Sequence, residues 1–552
     1  MQKIKGLLAL IVVILIFLSA CYKKNTDKVE YSTGKSASNQ TLNLEANQEL
    51  PTMDVTKSTD SISASILGNV MEGLYRLNKD NEPIPGMAES YTKTQDGKTY
   101  TFQIRKDAKW SNGAPVTAKD FVFAWKRLLN PKTAAEYAFI AYPLKNAKEI
   151  HEGKIAGNLL GVQAIDEHTL KVELEDPIPY FLNLMAFPSF YPLNEKFVTQ
   201  NGDKFGLEAD NVLYNGPFIM KEWKHEQNWK LVKNEQYWDK NTVKINEINF
   251  NVVKDPSALV NLYDSGQLDR ITLSSEFVDK YKTKKNEFGS YLEPSTYFLQ
   301  FNQKRNNQDT VFKNKKLRES IALVINKKPL VSTILNDGSK AVNYLVPEGL
   351  AIGPDKKDFR KSFTSGLNLD IDKAKQLWVE AKKELGRNEI KIELLNYDTG
   401  NQKKIGEYLK GEVEKNLRGI TVELKPIPFK QKIKLETDQD FDFSFTAWHP
   451  DYADPMTFID MFQTKGSLNN IGYSNNNYDE IVEKGKKEWL RDPKKRWEKL
   501  GNAEKILLEE DVAIVPLFQS GKSYVQQPNI HDIFHHNISP EYSYKWAYVN
   551  EK

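Results

Sequence analysis

The sequence predicts an α/β protein of two or more lobes, on three observations. A chain of 552 residues exceeds the roughly 250 to 300 at which a single core stops growing. Strand and helix patterns alternate across residues 373 to 424, the mark of helices layered on a sheet. Aromatic residues make up 11% of the chain, with Tyr 25, Phe 27 and Trp 10, which supplies large groups for more than one interior.

The elements follow in order. Lys3 and Lys5 precede an unbroken apolar run from Leu7 to Leu18. That run is shorter than the roughly 20 residues of a spanning helix and fits a signal-peptide core, so residues 1–20 are read as a cleaved signal peptide. The run ends in Leu18-Ser19-Ala20-Cys21, and Cys21 is the only cysteine in the chain. This stretch resembles the bacterial lipobox, in which the cysteine carries a diacylglyceryl thioether, and Cys21 is the lipidation site the resemblance implies. Residues 21–40 are rich in Lys, Ser, Thr and Asn, too polar to offset the entropy of ordering, and read as a lipid-anchored flexible tether.

Alternation at Thr41 to Ala46 predicts the first strand of the folded part. Asp96-Gly97 is a turn signal before a strand with Tyr100, Phe102 and Ile104 on one face, and Asn112-Gly113 is a second turn. Thr117 with Asp120 three residues later predicts a capping box opening a helix that buries Phe121, Trp125 and Leu128. Leu170, Val172 and Leu174 predict another half-buried strand. A helix is predicted around Leu317 to Ile325, then a helix from Lys373 to Leu385 closed by Gly386, a strand Ile390 to Leu395, a helix near Ile405 to Leu417 and a strand Ile420 to Leu424.

Charge and composition narrow the function. Lys+Arg 77 nearly balances Asp+Glu 74, and the charges are interspersed, so the basic stripe of a nucleic-acid binder is absent. Losing Lys3 and Lys5 with residues 1–20 takes the formal charge from +3 to +1. With no cysteine after Cys21, a disulfide within the mature chain is excluded, and stability must come from burial. No G-x-S-x-G, H-E-x-x-H or G-x-x-x-x-G-K-[ST] motif occurs, so no catalytic residues are assigned and no enzyme activity is expected. His531, His535 and His536 cluster without carboxylates or thiols at ligand spacing, so a solvated or core role is expected and no metal site is assigned.

Longer motifs carry a family resemblance. They include Met87-Ala88-Glu89-Ser90-Tyr91, the run Asp96 to Arg105, and Trp110-Ser111-Asn112-Gly113-Ala114-Pro115 continuing to Phe121. Asn215-Gly216-Pro217-Phe218, Tyr237-Trp238-Asp239, Leu317 to Ala322, Trp448-His449-Pro450-Asp451-Tyr452-Ala453-Asp454-Pro455 and Ala513 to Phe518 follow in order. The chain resembles the peptide-binding solute receptors of ABC importers, family 5 of the extracellular solute-binding proteins. Glu49 to Asp54 and Met71 to Arg76 resemble the oligopeptide-binding lipoproteins of Gram-positive bacteria.

The resemblance implies a two-lobed, periplasmic-binding-protein-like clamshell with an additional inserted subdomain. Lobe I is then 41–71, 214–296 and 519–552, the inserted subdomain 72–213 and lobe II 297–518, with hinge candidates near Met71, Asn215, Thr296 and Gln519. It also implies the site residues. Asp451, three residues after Trp448, would pair with the ligand's ammonium, because a buried charge without a partner costs several kcal/mol. Thr59, Asp60 and Ser61, Ser295, Thr296 and Tyr297, and Ala447, Trp448 and His449 match segments that hold peptide backbone as an added strand. Tyr137 and Phe518 match aromatic walls. The implied partners are an oligopeptide, permease subunits and, through the lipid, the extracellular face of a Gram-positive cell membrane. The receptor is expected to be a monomer without cofactor. A signalling peptide, a dipeptide, haem or a nickel chelate are alternative ligands the family admits. Phe443-Ser444-Phe445-Thr446 lacks the cation that relatives preferring short peptides place before this Trp, which points to longer peptides or a signalling peptide.

Overall fold

In the computed structural model the described residues are 37–46, 49–398, 400–450, 452–466 and 468–551. The signal peptide, Cys21, most of the tether and Asp451 lie outside them.

One sheet of eleven strands runs through the molecule. In chain order its strands are β1 (Thr41–Ala46), β2 (Phe218–Lys224), β3 (Asn228–Lys233), β4 (Glu247–Val252), β5 (Arg270–Thr272), β6 (Phe288–Phe301) and β7 (Lys340–Ala341). Then come β8 (Ile390–Tyr397), β9 (Ile420–Ile427), β10 (Phe443–Trp448) and β11 (Ile514–Gln526). Their spatial order is β9-β8-β10-β6-β11-β5-β1-β4-β3-β2, with β7 on β11. The alternation expected at residues 41 to 46 is present: Leu42, Leu44 and Ala46 are buried, and β1 lies parallel to β4 with Leu44 beside Phe250.

Two helices fix the first part of the chain. Helix α1 (Ser61–Val70) is capped by Asp60, whose Oδ1 accepts from the Ser63 amide at 2.7 Å. Helix α2 (Ala118–Leu129) opens with the expected capping box: the Thr117 amide donates to Asp120 Oδ2 at 2.7 Å, and Phe121, Trp125 and Leu128 are buried. Between α2 and β2 the chain includes part of an antiparallel four-stranded sheet, of which Thr99–Ile104 and Thr169–Glu173 are the central strands.

Toward the other end, helix α3 (Ile371–Leu385) ends at Gly386 in the left-handed region, as expected. β8 and β9 are parallel, joined by helix α4 (Gly400–Asn416). The α/β alternation expected from residue 373 to 424 is therefore the architecture of this part.

The buried apolar groups divide along the chain. One core runs from Leu42 to Phe250 and takes in Ile530 to Val549. Two others are made wholly of residues between Phe298 and Phe518. The long strands β6 and β11 pass between these regions, paired antiparallel from Phe288 with Val525 to Gln300 with Ile514. Their register breaks between Leu292 and Thr296. Among the described residues no helix is long and apolar enough to cross a membrane.

Candidate functional site

Segments far apart in sequence converge beside that register break. The cap of α1 sets Thr59 and Ser61 at the helix start, and Asp60 is spent in part on the cap itself. Tyr137 stacks on Phe187 with ring centres 5.9 Å apart and planes at 14°. His449 directly follows β10, and its Nδ1 lies 2.6 Å from Ser295 Oγ. Thr59, Asp60, Ser61, Tyr137 and His449 line one cavity of about 120 Å³, together with Ser58, the Phe187–Ser189 turn, Pro450 and Ser539. The cavity thus joins the first core region to the second.

A second cavity of about 260 Å³ adjoins it in sequence, with Trp448, Tyr452, Tyr180 and Phe139 in its wall. Tyr180 and Tyr452 stack face to face, centres 4.0 Å apart and planes at 8°. Tyr452 packs against cores on both sides. Below it, Asp454 and Arg496 form a buried bidentate ion pair at 2.7 and 2.8 Å, which fixes the loop after Trp448.

The backbone of β10 is open on one side. It pairs with β6 from Phe443 to Trp448, Thr296 facing Trp448 and Tyr297 facing Ala447. On its other side β8 pairs only with Phe443 and Ser444, so among the described residues Phe445 to Trp448 have no neighbouring strand there. Such an edge can accept an extended chain through main-chain hydrogen bonds. Two buried polar atoms nearby, Thr296 Oγ1 and Trp448 Nε1, have no hydrogen-bond partner among the described residues, which is costly unless something supplies one.

Charged groups line the crossing of β6 and β11. Lys522 pairs with Glu293 at 2.7 Å and Glu541 at 3.0 Å, and Ser520 donates to Glu293 at 2.6 Å. Burial works against the Lys522 ammonium, but the two carboxylates outweigh it and hold its pKa above the usual lysine range. His449 reaches the cavity yet is crowded by protein. Burial pushes its pKa below the usual imidazole value despite the pull of Glu293 and Glu541, so the neutral ring faces the cavity at neutral pH.

The structure therefore gathers Thr59, Asp60, Ser61, Tyr137 and His449 on one cavity and ties Ser295 to them through His449. Trp448 lines the second cavity. Ala447 is on the open edge itself, and Thr296 and Tyr297 are β6 residues behind it. Phe518 stands behind the wall: it is 2% exposed, stacks on Tyr297 at 4.6 Å and belongs to the second core. Asp451 lies outside the described residues. Phe187, Ser189, Tyr180 and Ser539 were not singled out by sequence, because no local pattern marks a residue whose role comes only from what folds against it. Of the clustered histidines, His536 is buried and within 2.9 Å of Ser543 Oγ, and His535 stacks on Tyr291 at 3.8 Å.

The overall fold is shared with known proteins. The pattern of bacterial extracellular solute-binding proteins, family 5, matches residues 82–470. The chain belongs to that family. Its members are solute-binding proteins, and its peptide-binding relatives include Gram-positive ones. Dipeptide-binding protein DppE of Bacillus subtilis (strain 168) is 33% identical over 521 residues, covering 94% of each chain. The substrate-binding domain of an oligopeptide ABC transporter from Bacillus anthracis str. Ames superposes with a TM-score of 0.80 at 62% identity, covering 94% of this chain and 100% of the other. Listeria monocytogenes OppA bound to peptide gives 0.78 at 42% identity, covering 94% and 100%.

Proposed function

We propose that this receptor captures oligopeptides between its lobes at the outer face of the cell membrane, where Cys21 anchors it by lipid, and hands them to an ABC permease. The observation that carries the reading is the open edge of β10 beside a cavity built from both core regions. Backbone pairing along Phe445 to Trp448 gives affinity that ignores peptide sequence, while the cavity walls limit side chains. Relatives named for peptides, and one solved with peptide bound, support the same ligand class.

Asp451, directly after Pro450, is assigned the ligand's ammonium. Removing one member of a buried charge pair costs about 3 to 5 kcal/mol, so Asp451→Asn should weaken binding by roughly two to three powers of ten. Acetylating the peptide should cost a similar amount, and the two changes together much less than their sum. Calorimetry on the four combinations tests this. Free and acetylated peptides bound by the wild type within about threefold of each other would remove Asp451 from the site. For the anchor, Cys21→Ala should release the protein from the membrane fraction; an unchanged distribution would exclude lipidation there.

A further inference from the structure

The largest cavity beside α1 lies outside the site just described. It measures about 420 Å³, and its wall includes Glu45, Ser61, Trp229, Lys522, Glu541 and Tyr542. Ser61 also lines the small cavity that holds Tyr137 and His449, so the two chambers meet at the start of α1. Pro450, beside which the ligand's amino end is assigned, lines the small cavity and not the larger one.

Its charges are unequally satisfied. Lys522 is held by Glu293 and Glu541. Lys254 pairs with Glu226 at 3.2 Å. Arg270, close enough to attract Glu45, lies over the Tyr524 ring at 3.8 Å and donates to Gln526 at 2.9 Å. Glu45, at the end of β1, accepts from the Thr272 amide at 2.5 Å and has no ion-pair partner among the described residues. Burial pushes its carboxyl above the usual range, against the pull of the Thr272 hydrogen bonds, Arg270 and Lys522. A half-buried carboxylate without a counter-ion, in a chamber walled by Trp229 and Tyr542, suits a cation that can also lie on aromatic faces.

We infer that this chamber takes a lysine or arginine side chain of the bound peptide, away from its amino end, with Glu45 as the counter-charge. The inference rests on the peptide-receptor reading and adds a preference that Phe445 to Trp448 cannot supply, since backbone pairing is blind to side chains.

A free-amine, alanine-based peptide series tests it, with a single Arg, or citrulline in its place, moved through each successive position. Calorimetry on the wild type should find a position beyond the first where citrulline weakens binding roughly ten- to hundredfold, the range of a charge-assisted hydrogen bond. Glu45→Gln should compress that ratio to within about threefold, and Glu45→Lys should reverse it. Should Glu45→Gln fail to fold, Glu45→Asp, which withdraws the carboxylate by one methylene, should still reduce the ratio. If the series binds but no position distinguishes Arg from citrulline, the cation pocket is wrong and the receptor reading stands. A preference that survives Glu45→Gln undiminished also overturns it, because another group then meets the cation. Binding of no peptide in the series overturns both readings.

Discussion

The chain passes between substructures at two junctions, and the two are built differently. At the first, around Met71 and Asn215, a polar clamp is set inside one continuous apolar core. The Asn215 side chain accepts from the Glu72 amide at 3.1 Å and donates to the Glu72 carbonyl at 2.9 Å. The Glu72 carboxylate accepts from Arg76 at 2.5 Å, Tyr237 at 2.7 Å and Trp238 at 2.7 Å. At the second, around Thr296 and Gln519, only two strands cross, and their register slips there. Gln519 is fully buried and bonded on both ends of its amide, to Glu293 and Glu348 carbonyls at 2.9 Å and from Tyr344 at 2.9 Å. The first junction shares apolar burial with its surroundings and cannot open without exposing it. The second separates regions whose cores do not merge, which favours Thr296 and Gln519 over Met71 and Asn215 as the hinge.

Breaking the first junction should have the largest effect. Glu72→Ala leaves the Arg76 guanidinium buried, 5% exposed, without its carboxylate, and costs about 3 to 5 kcal/mol. Chemical denaturation should show the loss for the whole of the first core. A midpoint unchanged within error would mean that this network is incidental to the junction.

Acid should act on the same side. His536 lies within 2.9 Å of Ser543 Oγ and 3.3 Å of Asn81 Oδ1, tying the inserted segment to the C-terminal one. Burial pushes His535 and His536 down to about 3. Unfolded imidazoles titrate near pH 6.5, so the unfolded chain takes up protons that the folded chain refuses. Stability is full above about pH 6.5 and falls as pH drops, by about 1.4 kcal/mol per unit for each group. His449, lowered by the same cause, adds in the same direction. Asp120, raised to about 6 by burial, opposes them, since its folded form takes a proton first. Glu45 and His225, both raised, oppose them too, so the net loss between pH 6.5 and 5.5 should be at most about 2 kcal/mol. His536→Gln should flatten the slope by nearly half in denaturation at the two pH values, and an equal slope would assign the effect elsewhere.

How far the sequence reveals this contrast depends on where the information sits. The strand at Leu42, Leu44 and Ala46, the capping box at Thr117 and the alternation closed by Gly386 are periodic or local, and each forms as the pattern indicates. Convergence is not local. Thr59, Tyr137 and His449 are separated by much of the chain, and only the family motif joins them before folding does. Phe518 comes from another family motif, Ala513 to Phe518, and only the fold shows its ring packed on Tyr297 in the second core. Glu45 is invisible in sequence: it reads as the polar face of β1, and only the placement of α1 and Tyr542 encloses it.

Two glycines separate the junctions most directly. A methyl on Gly216 would sit 2.6 Å from the Met71 nitrogen and 2.8 Å from its carbonyl oxygen, atoms held inside the first core. A methyl on Gly521 would run into the Gly338 carbonyl and lie 2.6 Å from the Ser339 nitrogen, across the second junction, where the Gly521 amide donates to Ser339 Oγ at 3.1 Å. Both are overpacked by similar amounts, of order 1 to 3 kcal/mol, but the strain has different outlets. At Gly216 it can be relieved only by disturbing the core, so Gly216→Ala should lower the melting temperature and leave the affinity of the folded fraction unchanged. At Gly521 it can be relieved by swinging the lobes apart. Gly521→Ala should therefore melt close to the wild type without ligand and bind peptide on the order of tenfold more weakly, because binding must then drive closure against the added methyl. Melting curves and calorimetry on the two variants decide between the junctions. Equal melting losses with unchanged affinity in both would show that β6 and β11 do not form the hinge.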